Sequence, residues 1–590
     1  MKNSLVILLC AVIISAPAYS RASGRIEITT SDEDTKYLYQ LAKDTWECMD
    51  HYVSPATGFP FDTDQKPDGT NTTNIGLYLA SLSVAAEMGL IPKDKALKKA
   101  EAAVDSLSKL QHWKGFFINT VNVFGDVRAS EGGNAISDFN KLPAGLILVK
   151  QEFPELSQKC AMLLGRMDWS QFYDPGSKTV YGGFDVVKGE VLKWPLDLLA
   201  TDSRLGVFFM VASGGAPPEV WDRLSRATEE HYGLNILKPS WYGGGIFMQG
   251  ICGLFLDERQ AEAGRSMADF AYAQMLFARD IDSPVWGWSS CYSPWNMYLG
   301  WGGLRGNVIT PHASALAAIY YPNKVAKNLR ALEKYGLRQE FDLLNAKYPF
   351  GFRDSVDIDT GQTYKGYVTA LDQGMLFLSL ANYLEDGIAW RLFEQDTTVK
   401  KGKRLLARYF SPNPAYINLY KKRDVEPLPE RKYAGTKNPE AVIIPVKPQG
   451  RASEAEPGQI DYDITKSSRY VFSRALKSPD ISPYDSLSFS IKGDKQQRFT
   501  YSLRIELEGG KNGAVYKLKG ISDEWRKVTI PLREFGAKHM GWEGSNSYWG
   551  GFITDRSNIK KIDFVFDLAD TSQGKGRVYL TDLSFNAIGV

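Results

Sequence analysis

Residues 364–393 read YKGYVTALDQGMLFLSLANYLEDGIAWRLF. Met375, Phe377, Leu378, Leu380, Ala381, Leu384, Ile388 and Leu392 recur at helical spacing, so the stretch predicts a well-packed helix over 373–393. One carboxylate, Asp372, stands where that helix begins, preceded by a polar, aromatic approach. On spacing alone it reads as a capping group for the free N–H groups of the first turn. The same position also lets a carboxylate point into a cavity and feel the positive end of the helix. Which reading holds depends on the rest of the chain.

Working outward, further amphipathic helices are predicted over 34–52, 74–88, 92–110, 139–152, 156–167, 196–212, 218–232, 260–279, 311–320 and 324–335. Strand-like alternation is sparse before residue 400. About a dozen helices in one region, with helix hairpins joined by loops, predict an (α/α)6 toroid. A solenoid is the alternative architecture, but no fixed repeat period is present. From about residue 455 the period changes to two. Strands are predicted over 470–474, 486–492, 499–506, 515–518, 525–531, 561–566 and 577–585, separated by Gly, Asp, Asn and Lys turns. That pattern predicts a C-terminal β-sandwich of jelly-roll type. The expected domains are therefore a helical domain over 24–400, a basic and proline-containing linker over 401–454, and a sandwich over 455–590.

The chain has 590 residues, a formal net charge of +2, 14 Trp and 30 Tyr. Its length calls for roughly two to four domains. The near-neutral charge gives no global attraction to nucleic acid. Residues 1–23 combine Lys2, an apolar run and a small-residue exit, the pattern of a cleavable secretory signal. The expected location is periplasmic or secreted, and no later segment is long and apolar enough to span a bilayer. Cys48, Cys160, Cys252 and Cys291 are far apart, and the five His do not cluster with them. No metal or other cofactor is expected, and buried thiols are the expected state of the four cysteines.

Three acids join Asp372 as candidates. Asp138 precedes a predicted helix, Asp202 lies within the apolar stretch 196–212, and Asp354 follows Phe350-Gly351-Phe352-Arg353. An acid between Leu199 and Leu205 needs a partner or a cavity, because an unpaired buried charge is costly. The loops between the acids are rich in glycine and aromatic residues: Trp113, Trp241, Tyr242, Trp286, Trp288, Tyr292 and Trp295. Rings of this kind line clefts for sugar chains, and they also fill cores. With Asp354 and Gln373 they form the predicted substrate-binding set. Two carboxyl groups across such a cleft are what glycoside hydrolysis needs, one to protonate the leaving oxygen and one to activate water or attack. Asp372, Asp202 and Asp138 are the predicted catalytic residues, and a polysaccharide is the predicted partner. The competing reading is a non-catalytic polysaccharide-binding or exopolysaccharide-processing protein.

Several blocks resemble one family. Thr72-Thr-Asn-Ile-Gly-Leu-Tyr-Leu79 and Asp197-Leu-Leu-Ala-Thr-Asp202-Ser-Arg-Leu205 are similar to blocks in the glycoside-processing domain of cyclic β-1,2-glucan synthases. Residues 308–316, Tyr348-Pro-Phe-Gly-Phe-Arg-Asp354 and Leu371-Asp-Gln-Gly374 resemble the bacterial glucoamylase-like domain related to glycoside hydrolase family 144, the endo-β-1,2-glucanases. Residues 46–62 are similar to the DUF3131 region that accompanies it. The resemblance covers about 35–395. It implies an (α/α)6 fold and metal-free, inverting hydrolysis of a β-1,2-glucan. It also implies a general base at Asp372 and a general acid at Asp202, where the family carries the longer glutamate. The sandwich resembles carbohydrate-binding modules in size, strand pattern and aromatics.

Overall fold

The computed structural model describes residues 28–429, 442–445 and 458–586, apart from 66–67, 125–132, 241–244, 281–282, 295–297, 300–307, 339–340, 344–345, 349, 359–360, 465–468, 495–500, 510–511, 533–534, 539–555 and 568–574. The expected signal segment 1–23 and the predicted sugar-binding residues Trp241, Tyr242 and Trp295 lie outside the described residues.

Two kinds of helix build the N-terminal region. Thr72–Glu87, Lys141–Glu152, Arg204–Ser213 and Leu371–Leu384 are buried along nearly their whole length. A helix that is apolar all round belongs inside a domain. Asp32–His51, Lys93–Leu107 and Pro322–Glu333 instead alternate buried apolar residues with exposed charges, and they face water on one side. Ser31 caps the first of these by accepting from the Asp34 N–H, and Asp32, Glu33 and Asp34 sit in its first turn, where the helix dipole favours them. The inner helices cross closely: a Cβ on Gly76 would stand 2.3 Å from the Lys141 carbonyl, and one on Gly145 would stand 2.2 Å from the Gly76 carbonyl oxygen. Only glycine permits that approach.

Two sequence expectations are corrected in this region. The stretch 218–232 holds a four-residue helix, Glu219–Asp222, and then a hairpin of Thr228–His231 with Leu234–Leu237. Tyr232 and Gly233 take positive φ in its turn, which ends the helical path that the apolar spacing suggested. Residues 401–429, expected as a linker wrapping the helical domain, do pack on it, but as regular helix: they complete Thr397–Leu405 and form Pro414–Val425. These helices belong to the helical core: Tyr420 is fully buried, and Asp424 accepts from the backbone N–H groups of Asn323 and Lys324. Lys422, Arg404 and Arg408 face outward, Arg423 turns inward onto Asp269 and Tyr272, and Val399, Leu406 and Tyr420 pack into the core.

Among the described residues, the C-terminal region is made of two five-stranded antiparallel sheets. One runs Val442–Pro445, Arg526–Pro531, Ser486–Gly493, Lys575–Asn586, Gly458–Asp463; the other runs Arg469–Ala475, Lys561–Asp567, Tyr501–Gly509, Asn512–Ile521, Gly536–Lys538. All seven predicted strands are present. Alternate residues (Leu487, Phe489, Ile491; Leu503, Ile505, Leu507; Ile562, Phe564, Phe566) fill a shared apolar core, separate from that of the helices. Tyr462 of one sheet stacks on Phe566 of the other at 4.3 Å. Cys48, Cys160, Cys252 and Cys291 are all buried and unbridged. No helix among the described residues is long and apolar enough to cross a membrane.

Candidate active site

Asp372 is the second residue of the helix Leu371–Leu384 and does not cap it; the N-cap is Ala370, which makes no side-chain hydrogen bond. Its carboxyl is buried, with Oδ1 3.5 Å from His312 Nδ1 and Oδ2 without a hydrogen-bond donor. The second acid at this point is Asp354, just ahead of the strand Val356–Asp357 that pairs with Val308–Ile309. That pairing brings the 352–355 segment beside the helix Pro311–Ala315, which carries His312. Asp354 Oδ2 accepts from the Tyr292 N–H at 2.6 Å, and its buried Oδ1 has no donor. Ligand atoms of His312, Asp354 and Asp372 all lie within 4.8 Å of one another.

Two adjacent buried carboxyls cannot both ionise cheaply. Burial raises Asp354 to about 6, partly offset by hydrogen bonds from Asp372 and the Tyr292 N–H. Burial, then the Asp354 charge and the hydrogen bond between them, push Asp372 well above the usual carboxylate range, with Asp62 adding to the effect. The two carboxyls therefore titrate as a coupled pair in which the protonated form is favoured, and a proton between them would satisfy the two oxygens left without donors. Burial lowers His312 to about 3, so its imidazole is neutral; Nδ1 lies 2.8 Å from Thr310 Oγ1. This triad is also the place where a cation would fit. A second acidic group, Glu506, Glu508 and Asp563 in the sandwich, is already compensated by Arg504 and Lys561.

Asp138 sits in the short helix Ile136–Phe139 and is exposed to solvent. Its carboxyl accepts from Asn119 Nδ2 at 3.3 Å. Its pKa is raised, first by surrounding protein, then lowered by Lys141 and raised again by Asp202. A carboxyl that meets water yet feels desolvation lies in a recess. Asp202 is different. The sequence places it inside a helix, but residues 201–203 form a turn and the helix starts at Arg204. Asp202 Oδ2 meets Lys141 Nζ at 3.0 Å, with the lysine side chain 1% and the aspartate side chain 7% exposed. Lys141 also donates to the Ser137 carbonyl.

Tyrosines join the two sets of acids. Tyr292 stacks on Tyr364 at 5.6 Å and meets the edge of Tyr298 at 5.3 Å. Burial raises the Tyr298 phenol well above its ordinary value, with added effects from Asp372, Cys291, Asp354 and Asp138. Its ring nevertheless keeps 45% exposure, so Tyr298 stands in the recess near both Asp372 and Asp138. Burial raises Tyr292 to about 12, with Asp62, Asp354 and Asp372 adding to it. Asp62 thus belongs to the same recess, where it accepts from Asn74 Nδ2 at 2.7 Å.

Other predicted residues lie elsewhere. Trp286 and Trp288 are buried in the helical core, held by backbone hydrogen bonds to Asn328 and Gln274. Trp113 is half-buried against Phe116, Phe172 and Phe184. Gln373 is buried and donates to the Phe352 carbonyl at 2.7 Å, bracing the segment that carries Asp354. Sequence reasoning missed Asp62, Asn119, Tyr298, Tyr364 and His312. Asp62, at the end of Gly58-Phe-Pro-Phe-Asp, and His312, in Thr310-Pro-His, carried the only local signal: a polar group set in an apolar turn.

With this geometry in view, the class is apparent from comparison with known proteins. Residues 40–194 match the DUF3131 family, a protein family of unknown function, and residues 209–397 match the Glycoamylase family. Residues 458–587 match carbohydrate binding domain 30. The resemblance read from the sequence blocks therefore holds. The particular relatives are these. The cyclic β-(1,2)-glucan synthase NdvB of Rhizobium meliloti (strain 1021) is 25% identical over 281 residues, 44% of this chain and 10% of that protein. The chain thus spans about a tenth of the synthase. A "putative glucoamylase" from Bacteroides caccae has a similar fold, with a TM-score of 0.56 and 19% identity over 63% of this chain and 98% of that one. The endo-β-1,2-glucanase of Chitinophaga pinensis, solved with sophorotriose and glucose, has a TM-score of 0.54 and 18% identity over 63% of this chain and 98% of that one.

Proposed function

We propose that this chain is a secreted or periplasmic, endo-acting glycoside hydrolase of the (α/α)6 type that cleaves β-1,2-glucan and carries a jelly-roll carbohydrate-binding module. The observation that supports it best is the buried Asp354–Asp372 pair, with the exposed Tyr298 feeling both that pair and the solvent-exposed Asp138. The pair in its singly ionised form is a base with a pKa near 6, suited to take a proton from an attacking water. Asp138, with its raised pKa, is the group suited to protonate the leaving oxygen. The family resemblance gives that role to Asp202. The Lys141 ion pair favours Asp138 for it and leaves Asp202 to set the charge around Asp138. Water attack opposite the leaving group then gives inversion, with no step that requires a metal.

The test is reducing-end release from a panel of purified glucans, β-1,2-glucan first, with Asp372→Asn as control. Release from β-1,2-glucan that falls by about 10²–10⁴-fold in the variant supports the reading. Substantial activity left in Asp372→Asn removes that residue from its role. The match to a carbohydrate-binding family favours one alternative, a binding protein without turnover. Glucan bound without new reducing ends would select it.

A further inference from the structure

Trp194 lies on the strand Glu190–Pro195 and leaves 46% of its surface exposed. Its underside is fixed. A Cβ on Gly183 would stand 2.7 Å from Trp194 Cε3, and a Cβ on Gly133 would stand 2.6 Å from its Cη2. The indole therefore lies against two backbone segments that present no side chains to it. Gly183 pairs with Leu192 on one side and with Ala135 on the other. Neighbouring Phe184, whose side chain points to the opposite face, is fully buried among Phe116, Phe139 and Phe172. One face of this small sheet is thus core, and the other carries Leu192 and Trp194.

The sheet leads to the recess. Asn134–Ala135 runs directly into the helix Ile136–Phe139 that bears Asp138. From Gly133 to Asp138 the backbone covers two extended residues and one helical turn, roughly 10 Å. Isolated exposed apolar residues are ordinary. A bare indole face held rigid by glycines, on a sheet whose strand Asn134–Ala135 runs into the helix that bears Asp138, is the arrangement that stacks on the C–H face of a pyranose. Pre-fixing the ring also spares the rotamer entropy that binding would otherwise cost.

We propose that Trp194 is the stacking platform of a distal sugar-binding subsite, which grips the glucan chain beyond the residues at the point of cleavage. This rests on the hydrolase reading above. It requires that the platform serve long chains and be idle with short ones.

The experiment compares the full chain with Trp194→Ala and Trp194→Phe, using long-chain β-1,2-glucan and the shortest β-1,2-linked oligosaccharide that the unaltered protein cleaves. Loss of one stacking contact raises KM on the long chain by about five- to tenfold, with kcat unchanged. Values on the short oligosaccharide stay as they are, and Trp194→Phe retains most of the affinity. Equal melting temperatures show that folding is intact. An unchanged KM on the long chain, or the same loss at both lengths, overturns the platform while leaving the hydrolase reading in place. If the unaltered protein releases no reducing ends, the hydrolase reading fails, and calorimetric binding of the same glucans decides the platform. Weaker long-chain binding by Trp194→Ala supports it; equal binding, or none by either protein, overturns it.

Discussion

Two buried aspartates sit at the mouths of two inner helices, and their partners give them opposite chemistry. Asp202, in the turn before Arg204–Ser213, faces Lys141. Asp372, in the first turn of Leu371–Leu384, faces Asp354 and a neutral His312. Both are buried acids near a helix N-terminus, though the sequence placed Asp202 within a helix and Asp372 at the start of one. The cation gives one an ion-pair partner. The second acid turns the other into a proton store. The deciding partner lies 61 positions away in one case and 18 in the other.

The sharpest way to break this comparison is to neutralise each acid in turn and measure rate against pH on β-1,2-glucan. Asp138→Asn should cost about 10²–10⁴-fold in kcat, because it removes the proton donor. The alkaline limb of the profile, where the donor loses its proton, should vanish with it. Asp202→Asn should keep that limb and shift it to lower pH, since the negative charge that raises Asp138 is gone. If Asp202→Asn loses the limb and Asp138→Asn keeps it, Asp202 is the donor and the Lys141 ion pair does not prevent it.

A second test reads stability in place of rate. Lys141→Met leaves Asp202 buried without its cation, which costs about 3–5 kcal/mol. Adding Asp202→Asn should recover most of that loss, because the uncompensated charge disappears. The check is denaturant unfolding of the full chain followed by a probe of the helical region. Equal stability of Lys141→Met and the parent would mean that the pair is held apart by water.

How much of this was legible in the sequence follows from range. The sandwich strands are local patterns of period two, and all seven predicted ones are present. The strands that were missed, such as Gly458–Asp463, are short or interrupted by acids. The inner helices were legible from apolar runs. Lys141 was hidden by the same runs, because a lysine in Asn140-Lys-Leu-Pro reads as a surface residue until the fold buries it to 1%. Trp286 and Trp288 show the converse: aromatic, glycine-rich loops look like sugar clefts whether they line one or plug a core. Tyr298 was overlooked within the very loop whose neighbour Tyr292 was chosen, since nothing local separates a ring facing the recess from a ring facing the core. The Asp354–Asp372 pairing depends on a two-residue strand match, Val308–Ile309 with Val356–Asp357, which carries no periodic signal of its own.

The smallest expected effect tests the proton store itself. Asp354→Asn keeps a carbonyl oxygen to accept the Tyr292 N–H and supplies an amide N–H to the unpartnered Asp372 oxygen. Asp354 and Asp372 both have pKa values above the ordinary carboxylate range when folded. Between about pH 4 and the folded values, the folded protein therefore holds protons that the unfolded chain has released. Stability contributed by the pair is fully present below the unfolded pKa and is lost as pH rises through about 6. Removing one of the two acids should then stabilise the protein near neutral pH, by ~2 kcal/mol, with no gain at pH 4. Thermal unfolding at the two pH values measures both. The same substitution removes the charge that raises Asp372, so the acidic limb of the rate profile should move to lower pH. A melting temperature that falls at neutral pH, with the acidic limb unmoved, would mean that the two carboxyls do not share a proton and that Asp372 owes its basicity to burial alone.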